Sequence, residues 1–264
     1  IRKKRSRIAA WGITFLLPLL LVFYSWFMEH RPRLHDPKEW NLQDTLIQNS
    51  DLLMAAVFLV LSLLPFYLMF DRRKAQARDL VPIALMAAMC VVGRTAFSIV
   101  PLPNFKPVTA IVMITGIAFG PEAGYLTGAL AALLSNFLFG QGPWTPWQML
   151  AFGVAGLVAG LLADARVFPR ANLSWPRRIA LATVGLVLIV GLVGPILDTS
   201  TFFYLSTAPT PELAAVVYLA GLPVNAIHGA ATALTLVVAN PLLDQLARVR
   251  VKYGLLDRSR PNCP

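Results

Sequence analysis

Aromatic and amide side chains crowd into one short segment of this 264-residue chain, and together they can bind a small molecule. The segment covers residues 136–148 and reads NFLFGQGPWTPWQ. Its indoles offer flat apolar surfaces, its amides donate and accept hydrogen bonds, and its prolines restrict the backbone. Apolar walls with a few fixed polar groups are typical of ligand pockets. The residues concerned are Trp144, Trp147, Asn136, Gln141, Gln148, Pro143 and Pro146.

The composition shows what must position this segment. Hydrophobic residues make up 57% of the chain and charged residues only 14%, whereas soluble proteins average about 25% charged residues. The apolar residues form blocks close to the length of about 20 residues with which a helix crosses a bilayer. We therefore predict an all-α integral membrane protein with about eight spans, at residues 8–28, 52–70, 80–99, 107–120, 122–139, 146–163, 179–198 and 214–245.

The basic residues orient these spans. With the N-terminus in the cytoplasm, 18 of the 23 Lys and Arg residues lie on the cytoplasmic side. The positive-inside rule then predicts that both termini are cytoplasmic and that residues 136–148 reach the outer side. Basic residues between apolar blocks do not form the continuous basic face of a nucleic-acid binder, so the net charge of +10 does not indicate a nucleic-acid partner.

Polar residues elsewhere on the predicted outer side can complete a pocket, although each has an alternative explanation. The indoles of the 136–148 segment can form an interfacial aromatic belt, but a belt does not need the neighbouring amides. Arg94, near the end of the third span, can instead extend its guanidinium to the interface. Asn225 and His228 follow Pro223 in the eighth span, and a hydrogen bond between helices is their alternative role.

We predict no catalytic residue and no metal ligand, and we predict a substrate site from twelve residues. They come from the end of the third span, the loop after it, the 136–148 segment and the eighth span. They are Arg94, Phe97, Lys106, Asn136, Phe139, Gln141, Trp144, Thr145, Trp147, Gln148, Asn225 and His228.

The chain divides into three parts by composition. Residues 1–78 form a two-span hairpin rich in Leu and Phe, residues 79–253 a six-span bundle, and residues 254–264 a cytoplasmic tail. We expect the first span to be retained, because residues 24–28 offer no small-residue signal cleavage site. The bundle is rich in glycines, which recur every fourth residue from Gly116 to Gly128, and we interpret them as sites of close helix packing.

Missing motifs narrow the possible functions. The sequence contains no phosphate-binding loop, no His-Glu-x-x-His and no Gly-x-Ser-x-Gly, and its two cysteines do not form a disulfide framework. One alternative is a membrane enzyme that acts on a lipid or polyprenyl substrate through Glu122, Asp198 or His228. Another is a facilitator or channel that works without an ATPase.

The 80–253 region resembles the substrate-binding S components of energy-coupling factor (ECF) vitamin transporters. In that family, a six-helix bundle with cytoplasmic termini binds a vitamin from outside and then topples against a partner module. The matching features are the alanine pair of the third span, two short motifs around the fourth span, a glycine pair and the C-terminal motif. They read Ala84-x-x-x-Ala88, Lys106-Pro-Val-Thr109, Phe119-Gly-Pro-Glu-Ala-Gly124, Gly124-x-x-x-Gly128 and Lys252-Tyr-Gly254.

The resemblance carries several expectations about partners and ligand. It implies a transmembrane coupling subunit that contacts Ala84 and Ala88, two cytoplasmic ATPase subunits that alone use ATP and Mg²⁺, and a bacterial plasma membrane location. No covalently bound cofactor is expected. The segment 139–148 looks most like the cobalamin branch, because indoles can pack on a corrin ring and amides can hydrogen-bond its periphery. Another vitamin or a queuosine-type precursor is the alternative ligand.

Overall fold

The computed structural model describes residues 77–205 and 210–254 continuously, and before them residues 41–50 and positions 16, 19–23, 26, 53–54, 56–57 and 60–61. Every regular element in this part of the chain is helical, which confirms the predicted all-α class. The helices are α1 (Leu42–Gln48), α2 (Ala77–Ala96), α3 (Val108–Phe119), α4 (Pro121–Phe139), α5 (Trp144–Asp164), α6 (Trp175–Leu188), α7 (Gly194–Leu205), α8 (Pro211–Val238) and α9 (Asn240–Tyr253).

Four stretches of the described residues are long and apolar enough to cross a membrane. They are Leu80–Ile99, Trp144–Asp164, Trp175–Phe203 and Pro211–Val238. Each overlaps one of the predicted spans, so these four predictions of apolar helices are confirmed.

Helix α3 lies at the centre of the bundle, and all of its 12 residues are buried. At about 1.5 Å per residue it is roughly 18 Å long, which is shorter than the hydrocarbon layer of about 30 Å. The predicted span 107–120 is therefore a helix that other helices surround, and its length need not match the bilayer. It ends at Gly120, whose φ of 108° suits glycine, and Pro121 begins α4.

Glycines bring α3, α4 and α5 into backbone contact, as the sequence predicts. A Cβ atom on Gly156 of α5 would overlap the backbone of Gly124 in α4, and one on Gly116 of α3 would overlap the carbonyl of Gly156. A Cβ on Gly128 would meet the backbone of Phe152 in the same way. These three helices thus form a rigid unit in which side chains are absent at the crossing points.

A π-helical segment, Ile189–Val193, joins α6 and α7 into one continuous helix. The backbone N–H of Gly194 donates to the carbonyl of Ile189, five residues back. Pro195 follows at once, and a proline ring clashes with the carbonyl four residues before it in a regular α-helix. The wider π turn accommodates this proline without breaking the helix, which continues to Leu205 beyond the predicted end at residue 198.

Helix α8 passes through Pro223 without interruption and ends at Val238. The predicted eighth span, 214–245, is therefore too long at its end, because α9 begins separately at Asn240 with a proline in its first turn. The predicted tail, 254–264, lies outside the described residues except for Gly254, and the three-part division of the chain stays a prediction.

The predicted spans 8–28 and 52–70 fall largely outside the described residues. Within them, Leu21 is fully buried and belongs to the same hydrophobic core as the bundle, and Met54 and Leu61 pack against that core. These described positions of the hairpin therefore contact the bundle.

Candidate functional site

A cavity of about 600 Å³ lies between the start of α5, the middle of α7 and the first half of α8. All of these segments are on the predicted outer side. Its size falls within the range of about 300–1,000 Å³ that is usual for small-molecule sites. The apolar part of its wall comes mainly from valines of α8, and its polar or aromatic lining residues are Asn104, Trp144, Gln148, Asp198, Ser200, Thr201 and Asn225.

Trp144 reaches the cavity because the residue two positions before it is a glycine. A Cβ atom on Gly142 would lie 2.5–2.7 Å from three atoms of the Trp144 ring. The indole therefore occupies the space that a side chain at position 142 would fill. Trp144 is the first residue of α5, so its position depends on the tight loop between α4 and α5.

Asn136 is the centre of a buried hydrogen-bond network behind the cavity. Its side-chain oxygen accepts a hydrogen bond from Arg94 at 2.8 Å. Its amide nitrogen donates to the Thr145 hydroxyl and to Oε1 of Gln148, each at 2.9 Å. The Thr145 hydroxyl in turn donates to Gln141 at 2.9 Å. Asn136 and Thr145 thus hold Gln148 and the loop in place, and Gln148 carries the network to the cavity wall.

Two cationic side chains lie against the ring of Phe139. The Arg94 guanidinium carbon is 4.8 Å and the Lys106 ammonium nitrogen 5.4 Å from the ring centroid. Both distances are within the range of cation–π interactions. Burial, together with the charge of Arg94, lowers the pKa of Lys106 from its ordinary value. The two cations therefore form a positively charged cluster around Phe139, near the predicted outer surface.

Asp198 of α7 and Asn225 of α8 meet at the cavity wall. The Asn225 amide donates to Oδ2 of Asp198 at 2.8 Å. Glycines make room for both side chains, since a Cβ on Gly221 would lie 2.5 Å from both Asp198 oxygens and one on Gly194 would overlap the Asn225 amide. The pair joins α7 to α8 by a polar contact inside the membrane-spanning part of the protein.

His228 lies deeper in the bundle and does not line the cavity. Its Nε2 atom is 2.6 Å from the Thr109 hydroxyl, which is itself 3.1 Å from the hydroxyl of Thr232. Phe152 packs against the imidazole edge-to-face at 6.3 Å. The Nδ1 atom of His228 is buried and has no partner among the described residues. These contacts fit the alternative given above, a hydrogen bond between helices.

The structure brings only part of the predicted site to the cavity. Trp144, Gln148 and Asn225 line it. The remaining predicted residues support the wall, form the cationic cluster around Phe139 or pack elsewhere. Trp147, for example, is 5% exposed and stacks on Phe203, with the ring centroids 6.1 Å apart. The ring centroids of Phe97 and Phe105 are 6.4 Å apart.

The prediction missed four polar or acidic lining residues. Asp198 carries a signal in the sequence, because an acid inside an apolar span is costly and marks a functional position, but the sequence assigns it a role only in the enzyme alternative. Ser200 and Thr201 lie beyond the predicted end of their span. Asn104 lies in the loop after the third span, which the prediction included in the site through Lys106 rather than through Asn104.

Comparison with known proteins identifies the family. Residues 74–248 match the model of the family described as ECF-type riboflavin transporter, S component. A UPF0397 protein of Vibrio atlanticus is 32% identical over 88 residues, which cover 32% of this chain and 48% of that protein. The chain therefore spans about half the length of this relative. No solved structure matches the chain.

The family match covers more than half of the chain, including all the helices that surround the cavity. Because S components are transport subunits, the alternative of a membrane enzyme is excluded. The resemblance noted in the sequence is confirmed at the level of the family, and the chain belongs to the family described as ECF-type riboflavin transporter, S component.

Proposed function

We propose that this S component captures a heterocyclic vitamin in the cavity between α5, α7 and α8 and delivers it through an ECF module. The cavity itself carries the proposal, because it combines a Trp144 indole with the side-chain amides of Gln148 and Asn225. A flat ring can pack on the indole, and amides at its edge can bind polar ring substituents.

Cobalamin is our first candidate ligand, from the character of the 139–148 segment. Its corrin ring carries many peripheral amides, which suit Gln148 and Asn225. A corrinoid is larger than the ligands that a cavity of about 600 Å³ encloses, so only part of the molecule would enter the cavity.

Riboflavin is the second candidate, and two observations favour it. The matching family model is described by that vitamin. A tricyclic ring with a hydroxylated chain also fits within a cavity of about 600 Å³ as a whole.

Exposure supports the proposed partner surface on α2. Ala84 and Ala88 are exposed, whereas Ile83 and Met86 on the opposite face are buried in the core. Family membership implies an ECF module with a coupling subunit and ATPases. We assign its contact to this small-residue face, where helix backbones can approach closely.

Calorimetric titration of the purified, detergent-solubilised chain with cobalamin and riboflavin tests the proposal. We expect saturable binding of one of them, with a dissociation constant from nanomolar to micromolar. Binding of riboflavin alone would overturn the cobalamin assignment. Binding of neither, by protein whose melting curve shows it to be folded, would overturn both ligand assignments.

A further inference from the structure

We propose that Asp198 is a ligand-binding and specificity-determining residue, and that its Oδ1 atom accepts a hydrogen bond from an N–H or O–H group of the transported molecule. This inference rests on the proposed function, because it concerns the same cavity. It adds a rule for the ligand, namely that a hydrogen-bond donor must face α7.

The position of Asp198 is the first argument. It is the only charged residue among those that line the cavity, in the part of the chain that the structure describes. It is half-buried and lies within the apolar stretch Trp175–Phe203. A carboxylate at such a depth is costly and is rarely retained without a partner.

The hydrogen bonding of the carboxylate is the second argument. Asn225 donates to Oδ2 and leaves Oδ1 with no donor among the described residues. An ionised carboxylate has about four acceptor sites, so most of its capacity is unused. Asp198 also has no ion-pair partner in the described part of the chain; the ion pair found there joins Arg170 and Asp164. A donor from the ligand would satisfy the acceptor that the protein leaves open.

The packing around the pair is the third argument, because it keeps the carboxylate fixed. Gly221 of α8 leaves room for both Asp198 oxygens, and Gly194 of α7 leaves room for the Asn225 amide. Asn225 is 4% exposed, so its amide has little freedom to move away. The π turn that ends at Val193 lies one helical turn before Asp198. π turns are frequent at functional sites, where they change the direction of the side chains that follow.

The charge of Asp198 limits the chemistry of the ligand. A phosphate or carboxylate group at this wall would be repelled, whereas an amide N–H₂, an imide N–H or a hydroxyl would be attracted. Cobalamin offers peripheral amides, and riboflavin offers an imide N–H and ribityl hydroxyls. Both candidates therefore satisfy the rule.

Asp198→Asn tests the inference in the full chain, with whichever of cobalamin and riboflavin the wild type binds. The new amide can still accept from Asn225, but its N–H₂ group would then oppose the ligand donor. We expect binding to weaken by about 10- to 100-fold, the usual loss for a hydrogen bond to a charged group. The matched control is Glu212→Gln, an exposed carboxylate in the first turn of α8, which should bind like the wild type.

The outcomes separate this inference from the proposed function. A wild type that binds neither vitamin overturns both. A wild type that binds, with Asp198→Asn of equal affinity, overturns the inference alone. If Asp198→Asn does not fold, Asp198→Ser is measured in its place, since the smaller side chain fits any space that aspartate occupies. Wild-type affinity of that variant would equally contradict a role for the carboxylate.

Discussion

Some polar side chains beside the cavity use their hydrogen bonds to hold the loop between α4 and α5, and others face the cavity. Asn136 is 1% exposed, and both ends of its amide are bonded to protein. Gln148 receives one of those bonds and also lines the cavity. Replacing Asn136 would leave buried groups without partners, at a cost of about 1–3 kcal/mol for each group. Asn136 thus stabilises the loop, while Gln148 and Trp144 are placed to meet a ligand.

Trp144→Ala is expected to weaken ligand binding by about 1–3 kcal/mol, the usual loss for a buried aromatic contact. Titration calorimetry with the bound vitamin measures the change. Trp175→Ala is the control, because that indole is 60% exposed at the start of α6 and far along the chain from the cavity. Equal affinity of Trp144→Ala and the wild type would return the 136–148 segment to the role of an interfacial belt.

Lys106 is expected to make the stability of the ligand-free protein depend on pH. Its pKa is lowered in the folded state by burial and by Arg94, so the unfolded chain binds its proton more strongly. Stability therefore rises as the pH rises from the folded-state pKa towards the ordinary value of 10.5.

The variant Lys106→Met removes the cost in stability of burying a charged ammonium group beside Arg94. Its melting temperature should exceed that of the wild type at neutral pH, and the difference should shrink at alkaline pH. The control is Lys252→Met, which removes a lysine at an exposed position in α9. A constant difference between Lys106→Met and the wild type across the pH range would contradict the effect of burial.

Among the elements, α3, α4 and α5 form the rigid part of the bundle and α7 with α8 the polar part. The first three helices meet through glycines, with backbone against backbone. Helices α7 and α8 meet through the hydrogen bond between Asp198 and Asn225. They also meet through Thr199 and Tyr218, whose hydroxyl oxygens are 2.7 Å apart. The cavity therefore lies between a fixed wall and a wall held by polar contacts.

Gly156→Ala is expected to destabilise the bundle by about 1–3 kcal/mol or more, because the new methyl group would overlap the backbone of Gly124. Thermal unfolding in detergent measures this loss. Gly191→Ala is the matched control, since a Cβ atom at that helical position meets nothing within 4 Å. Ala favours a helix more than Gly does, so Gly191→Ala should lose no stability, and a Gly156→Ala variant as stable as Gly191→Ala would contradict the close packing at Gly156.

At the scale of the whole molecule, α2 connects the proposed partner surface with the site. Its exposed face carries Ala84 and Ala88. One to two turns further along, Arg94 donates to Asn136, which in turn donates to Gln148 at the cavity wall. Two hydrogen bonds therefore connect α2 with a residue of the cavity wall.

Leucine at both Ala84 and Ala88 is expected to reduce vitamin uptake by cells that contain the ECF module, while the isolated subunit binds its ligand as before. Uptake of labelled vitamin and calorimetry measure the two properties. Ala230→Leu, at an exposed position of α8, is the control for added bulk on a lipid-facing helix. Binding that fails together with uptake would show that the alanine pair packs inside the subunit.

Much of the element level was predictable from the residues alone. Apolar blocks and breaks such as Gly120-Pro121 located the helices, because a bilayer demands apolar residues and satisfied backbone groups along every span. The spacing of Gly116, Gly124 and Gly128 predicted close packing for the same physical reason, since only small residues let helices approach within a membrane.

The site was predictable only in part, because it depends on which helix ends meet. The residue types of the 136–148 segment, close together in sequence, predicted ligand binding there, and Trp144 and Gln148 of this segment line the cavity. Asn136 and Thr145 are equally polar and lie in the same segment, yet they face inward. The rotation of each helix about its axis and the geometry of the loop decide whether a polar side chain faces the cavity or the protein interior.

The amino-acid sequence by itself determined a helical membrane protein, its apolar spans and the family to which it belongs. These properties follow from composition and local spacing, because a segment inside the bilayer must be apolar and must satisfy its own backbone hydrogen bonds. The tertiary structure alone decided that Asp198 and Asn225, 27 residues apart, share a wall of the cavity. That contact arises because a π turn extends α7 past Pro195 and because glycines let α7 and α8 approach, and neither effect can be read from one segment alone.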